Sequence, residues 1–262
     1  MLQYQLEQIG YDATLIRFSD GENAKLLPVI QAVSHQLKYT ATISPAIIDV
    51  IPSYQSILIS YHLLKIDPNY LLITLTQLVE QAFSDINHVQ INDNSHINET
   101  NIIILPVCYH ENLAPDLITL AQHSDLTVDE VIRIHSTTIY NCYAVGFMPG
   151  FAYLGDVDAR IQMPRQVTPR AKVVKGSVGI ADNQTAIYPK TSPGGWQIIG
   201  RCPTPLLSDL TLSEDLSKPE LTIKKENKKQ AANSPTMLTV GCQIKFEPIG
   251  LQAFKHLNLG ID

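Results

Sequence analysis

Between Tyr11 and Phe18 apolar and polar residues alternate loosely, the two-residue period of a strand with one buried face. Asp20-Gly21 signals a turn, after which the spacing changes. In NAKLLPVIQAVSHQLKYT the residues Leu27, Ile30, Val33 and Leu37 recur at helical intervals. Pro28 is expected in the first helical turn, where its missing N–H is not needed. Two short runs, AIIDVIP and SILISYHLL, read as strands joined by a turn at Pro52-Ser53-Tyr54-Gln55. A second helix, NYLLITLTQLVEQAF, sets Leu71, Leu75, Leu78 and Val79 on one face. The order strand, helix, strand, strand, helix predicts a small α+β domain over residues 1–84. It would be a ferredoxin-like sandwich with two helices on one face of an antiparallel sheet.

Residues 85–100 lie in SDINHVQINDNSHINETN, rich in Asn, Asp and Ser and without period, and read as a linker. A strand, NIIILPVCY, opens the second domain, 101–262. Two short helices follow. One is PDLITLAQH, and the other is TVDEVIRIHS, where Thr127 and Glu130 have the spacing of a capping box. Helix signals then stop. TIYNCYAVGF, KGSVGIAD, TAIYP, GWQIIGR and MLTVGCQIKFEPIG are short β-branched or aromatic runs separated by Gly and Pro, the pattern of a barrel or sandwich. A polar, lysine-bearing stretch at about 210–236 reads as a surface insertion.

Composition narrows the function classes. The 262 residues are 45% hydrophobic and 17% charged, as in a globular protein, and a net charge of −6 disfavours nucleic acid or an anionic membrane as partner. No apolar run is long enough to cross a bilayer, and the first residues lack the basic and apolar regions of a signal peptide. The four cysteines, Cys108, Cys142, Cys202 and Cys242, are widely spaced and form no C-x-x-C pair. That fits reduced thiols in the cytoplasm better than a disulfide frame or a zinc site. No metal site is expected.

The chemistry-bearing stretch is Tyr143 to Pro203, where glycines and prolines fall in clusters. AVGFMPGFAYLGD holds two Gly-Phe pairs around Pro149 and no evident nucleophile, base or metal ligand. Such rigid loops carrying aromatics shape either a pocket or a subunit face, and tight barrel turns have the same composition. Arg165 and Arg170 each follow a proline in PRQVTPR. A guanidinium on a stiffened loop suits a carboxylate or phosphate, and structural ion pairing is the alternative. His135 ends the capped helix, where it is a complement to the helix dipole, a general base or a hydrogen-bond donor. Ser177 is outside any G-x-S-x-G elbow, and neither a Walker A sequence nor a G-x-G-x-x-G fingerprint occurs.

GFMPGFAYLG, MPRQVTPR, GSVGIADNQTAIYP and SPGGWQIIGR, in this order and at these distances, resemble the KipI-type family. That family is also described as allophanate hydrolase subunit 1 or as the B-type subunit of 5-oxoprolinase (PxpB). The resemblance implies a cyclophilin-like β-barrel for the C-terminal half. It also implies an ATP-dependent 5-oxoprolinase that opens 5-oxoproline to glutamate. Such an enzyme is active only as a complex, with a KipA-type partner and a LamB/YcsF-type third component. ATP with Mg would be the cofactor, bound in the complex and not necessarily by this chain. A urea amidolyase or allophanate hydrolase component, and a non-enzymatic inhibitor of a sensor histidine kinase, are the family's other roles. Under the first role Arg165 and Arg170 bind the substrate carboxylate or a phosphoryl group, with His135 as catalytic hydrogen-bond or proton-transfer partner. Phe147, Pro149, Gly150, Phe151 and Tyr153 then form walls of the pocket or subunit face. Gln184, Tyr188, Pro193, Gly194, Gly195 and Trp196 complete it. The chain departs from the family at Val173-Val174-Lys175-Gly176-Ser177, which loses a proline, and at Gly241-Cys242, where an aspartate is usual.

Overall fold

The computed structural model describes residues 3–19, 22–92, 102–207 and 236–258. The chain divides into two compact units, 1–99 and 100–262. The insertion expected at 210–236 falls, but for its last residue, outside the described residues.

The first unit is built from β1 (Gln3–Gln8), β2 (Ala13–Ser19), α1 (Asn23–Tyr39), β3 (Ile47–Ser53), β4 (Ser56–Tyr61) and α2 (Pro68–Asn92). Its sheet runs β1-β2-β4-β3, antiparallel throughout. One face presents Ile16, Phe18, Val50, Ile57 and Ile59, which pack with Leu26, Ile30 and Val33 of α1 and Leu71, Leu75 and Val79 of α2. β1 has no counterpart in the expected order, although Gln-Tyr-Gln-Leu-Glu-Gln alternates with a two-residue period. Pro28 lies in the second turn, because the helix already begins at Asn23. It forgoes one i→i−4 hydrogen bond, and the buried Leu26, Leu27, Val29 and Ile30 around it hold the helix by packing. α2 runs on to Asn92, inside the segment read as a linker.

The second unit contains a seven-stranded sheet. Its strands are β5 (Ile102–Val107), β6 (Ile139–Val145), β7 (Ala152–Gly155), β9 (Ser177–Ala181), β10 (Gln184–Ile187), β12 (Gln197–Arg201) and β13 (Gln243–Pro248). The order is β12-β9-β10-β7-β6-β13-β5, with only β13 and β5 parallel. Cys108 and Arg201 exchange two backbone hydrogen bonds of 2.9 Å, which join the end of β5 to β12 and nearly close the sheet into a barrel. Inward residues such as Val107, Tyr140, Leu154, Ile180, Ile199 and Ile244 fill it. Helices α3 (Leu117–His123) and α4 (Val128–Thr137) pack on β12 and β13 respectively. The capping box of α4 is formed in full. Glu130 N–H donates to Thr127 Oγ1 at 3.2 Å, and Thr127 N–H donates to Glu130 Oε2 at 2.8 Å. A further helix, α5 (Leu251–Leu257), follows Gly250 where no helix is expected, anchored by the buried Phe254.

The two remaining strands, β8 (Arg170–Val173) and β11 (Ser192–Gly194), form a separate antiparallel ribbon. Along β9, β10 and β12, alternate side chains turn away from the barrel interior, as the pleat requires. Ala181, Ala186 and Ile198 point this way and, with Phe151, Val173, Tyr188 and Trp196, make a second, smaller core that includes the ribbon.

Candidate functional site

The stretch with no reactive side chain is a hairpin loop. β6 and β7 end on the pair Val145–Ala152, and Gly146 N–H donates to the Phe151 carbonyl at 3.0 Å. Inside that closure Met148 N–H bonds back to the Gly146 carbonyl at 2.7 Å, with Phe147 between them at φ +65°. An i→i+2 bond around a residue of positive φ is the rare, strained form of the γ-turn, and a phenylalanine pays for it with its Cβ contacts. Gly150 supplies a second positive φ, +78°. The result is two opposite phenyl placements. Phe151 is buried, edge-on to Phe147, Tyr153, Tyr188 and Trp196 at centroid distances of 4.9–5.5 Å. Phe147 is 65% exposed.

The two arginines part company. Arg165 is exposed, its guanidinium 6.0 Å from the Trp196 ring centroid, and among the described residues it forms no ion pair. Arg170 Nη2 donates to Asp116 Oδ1 at 2.5 Å, and its Nη1 reaches the Trp196 carbonyl at 3.4 Å. Asp116 is buried just before α3 and grips β12 twice. Its Oδ2 accepts Ile198 N–H at 2.6 Å, and its own N–H donates to the Ile198 carbonyl at 2.9 Å. Both backbone groups of an edge-strand residue are thereby satisfied by one aspartate. Gln166 joins the network, donating to Gln197 Oε1 at 2.6 Å and to Asp116 Oδ1 at 3.3 Å, while its N–H reaches the Gly195 carbonyl at 2.7 Å. This hub ties the Arg-bearing loop and the ribbon to α3 and β12. Asp116 lies in the PDL triplet, where the sequence offers only a helix start as its role.

His135 sits in the barrel core, fully buried and stacked on Phe246 at 4.6 Å. Thr185 Oγ1 donates to the Gly179 carbonyl, so it accepts from His135 Nε2 at 3.0 Å. Tyr109 then donates to Nδ1 at 2.7 Å. Burial drives the imidazole pKa down to about 3. The ring is therefore neutral at pH 7, which removes the dipole-complement role, and it presents no surface to solvent.

The remaining expected residues separate likewise. Tyr188 and Trp196 are buried. Gly194 is where it is because a Cβ there would lie 2.4 Å from the Tyr188 hydroxyl. Gly195 abuts Pro169 and Gln166. Tyr188 and Trp196 are packed core in this structure, and Gly194 and Gly195 are partly exposed. Pro149, Pro193, Phe147 and Arg165 stay exposed and Tyr153 is half-buried. Gln184 pairs with Gly155, at the end of β7 and β10 remote from Phe151 and Tyr188, and is not brought to the cluster. The sequence also carries a signal in charge. From Arg160 to Arg201 Asp182 is the only acidic residue, against seven Lys or Arg, in a chain of net charge −6. Among the described residues no three His, Cys, Asp or Glu side chains converge on a metal position, and no helix is long and apolar enough to cross a membrane.

Residues 4–214 match the family described as carboxyltransferase domain, subdomain C and D. The B-type subunit of 5-oxoprolinase from Bacillus subtilis (strain 168) is 32% identical over 251 residues, covering 94% of this chain and 92% of that protein. Two solved structures share the fold. That of TTHA0988 superposes with a TM-score of 0.67 at 24% identity over 90% of this chain, which spans 39% of the other. The Kluyveromyces lactis urea amidolyase gives 0.66 at 18% identity over 97% of this chain and only 15% of the larger protein.

Proposed function

The chain belongs to the carboxyltransferase-domain family of subdomains C and D, and from that premise we propose that it is the B-type subunit of an ATP-dependent 5-oxoprolinase. The likeness to such a 5-oxoprolinase subunit over nearly the whole of both chains carries this reading. In it the chain works with a KipA-type partner and a LamB/YcsF-type third component to open 5-oxoproline to glutamate. Its first unit is a ferredoxin-like sandwich in which β1, placed before β2, occupies the edge beside it, and its second unit is a cyclophilin-like barrel.

The division of labour at the site follows from the geometry. Arg165 is unpaired among the described residues and exposed, in a basic segment, so it takes the substrate carboxylate or a phosphoryl oxygen. Arg170 and Asp116 position the loop that carries it. Phe147, held outward on a strained turn, and the exposed Pro149 and Pro193 form the contact face for the KipA-type partner. His135 acts within the core and stabilises the barrel. ATP with Mg supplies an acyl-phosphate leaving group when bound. The nucleotide is assigned to the assembled complex and not to this chain alone.

The test is 5-oxoproline-dependent ATP hydrolysis by the chain reconstituted with its KipA-type and LamB/YcsF-type partners. Stimulated turnover, lost in Arg165→Ala with assembly intact, supports the role. The amidolyase fold likeness makes urea the second substrate to assay. Turnover with urea and none with 5-oxoproline would transfer the chain to that role.

A further inference from the structure

β6 and β13 bring two thiols together away from the face described above. Their register pairs Ile244 with Tyr140 and Gln243 with Asn141, and one more step sets Cys242 opposite Cys142. Cys142 N–H donates to the Cys242 carbonyl at 3.0 Å, and Gly241 N–H to the Cys142 carbonyl at 2.8 Å. Cys142 thus bonds to two successive residues, Gly241 and Cys242, a bulge that keeps Cys242 beside it at the separation of neighbouring strands, which a disulfide can bridge. The two thiols are close enough to shift one another's acidity, and the Cys142 thiol is also aimed at the Ala144 carbonyl at 3.5 Å. Access is unequal, since Cys142 is fully buried and Cys242 is partly exposed.

The neighbouring Cys142 thiol, helped by backbone N–H groups, holds the Cys242 thiol below its ordinary value. Cys142 is pushed the other way by Cys242 and by burial. The other two cysteines offer a contrast within the same barrel. Cys108 is opposite Arg201, so Cys202 is one position out of register with it, and adjacent residues of a strand face opposite sides. Both are buried, and burial raises the Cys202 thiol to about 11.

We propose that Cys242 and Cys142 are an attacking and resolving pair that closes to a disulfide on exposure to a hydroperoxide. The Cys242 thiolate attacks the peroxide, the O–O bond breaks, and the leaving oxygen takes a proton and departs as water or an alcohol. Cys242 is then a sulfenic acid. Cys142 sulfur displaces the sulfenic oxygen, which leaves as water with the Cys142 proton as the S–S bond forms. Two thiols are oxidised and one peroxide is reduced by two electrons. A dithiol reverses the step by exchange.

The full chain, reduced and then treated with hydrogen peroxide, is unfolded in an alkylating reagent and measured by mass spectrometry. The expected product is lighter by two hydrogens before alkylation and carries label on two of its four cysteines, with a linked peptide joining Cys142 to Cys242. Dithiothreitol restores the other two. Cys242→Ser loses the link, and Cys142→Ala, unable to resolve, accumulates a dimedone adduct on Cys242. Four alkylated cysteines after peroxide, or a link made through Cys108 or Cys202, overturns the proposal without any substituted chain having to fold. A Cys142→Ala protein that unfolds with the wild-type profile yet forms no adduct on Cys242 overturns the assigned order of attack.

Discussion

Arg165 and Arg170 look equivalent in PRQVTPR, and the structure predicts that alanine separates them. Removing Arg170 leaves the Asp116 carboxylate, whose side chain is 8% exposed, without its cation. Stranding one member of a fully buried pair costs about 3–5 kcal/mol. Arg170 itself is 32% exposed, so water can replace part of the loss, and we expect about 2–4 kcal/mol. With a urea slope of about 2 kcal/mol per molar, the unfolding midpoint of this unit falls by about 1–2 M. Arg165→Ala breaks only an exposed contact with Trp196 and shifts stability by no more than about 0.5 kcal/mol. Trp196 is the sole tryptophan and is buried beside this network, so its fluorescence reports the transition. A cycle with Asp116→Asn, which keeps an acceptor for Ile198 N–H but no charge, should return a coupling of about 1–3 kcal/mol with Arg170. Equal midpoints for Arg165→Ala and Arg170→Ala would refute the positioning role. The same contrast governs activity assays. Only Arg165→Ala tests anion binding cleanly, because Arg170→Ala also loosens the loop.

Three further outcomes follow from the same geometry. His135 has a folded pKa of about 3 against 6.5 unfolded, so below about pH 6.5 the unfolded chain takes up a proton that the folded chain does not. Its stabilisation is nearly complete at pH 7 and declines ever more steeply below pH 6.5, approaching about 1.4 kcal/mol per unit until about pH 3; urea midpoints at pH 7, 6 and 5 should show a total loss of about 2 kcal/mol in the wild type, most of it between pH 6 and 5, and the same loss in His135→Gln would disprove it. Gly176→Ala sets a Cβ 2.4 Å from the Cys202 carbonyl at a φ of +82°, so the midpoint should fall by more than with any substitution of Arg165, as calorimetry can check. Phe147→Gly relieves the positive φ of an exposed residue and should stabilise the isolated chain by about 0.5–1 kcal/mol while weakening assembly with the KipA-type partner; lower thermal stability together with unchanged co-purification would count against the strained-turn reading.

The elements legible in the sequence are those whose cause is local. α1, α4 with its capping box, and the hairpin of β3 and β4 follow from period and turn chemistry within a few residues of each position. β1 was equally legible, since Gln3 to Gln8 alternates, but a lone strand makes sense only beside β2, and pairing is not a local property. The ribbon of β8 and β11 is harder still. Arg170-Ala-Lys-Val carries no alternation, and it is held by Asp116, 54 residues away.

Among candidate site residues, type and spacing could not distinguish a side chain that meets a ligand from one that meets its own core. A histidine closing a helix and a tryptophan after Gly-Gly are compatible with either, and the decision lies in what the barrel places opposite them. For His135 that is Tyr109, Thr185 and Phe246, which satisfy both ring nitrogens and seal the ring from water. For Trp196 it is Phe151, driven inward by the loop that turns Phe147 out. The concentration of Gly and Pro in AVGFMPGFAYLGD thus has a physical purpose. Its positive φ angles let one hairpin bury an aromatic in the outer core and hold another in solvent, whereas extended backbone sets residues four apart on the same face and cannot separate the two.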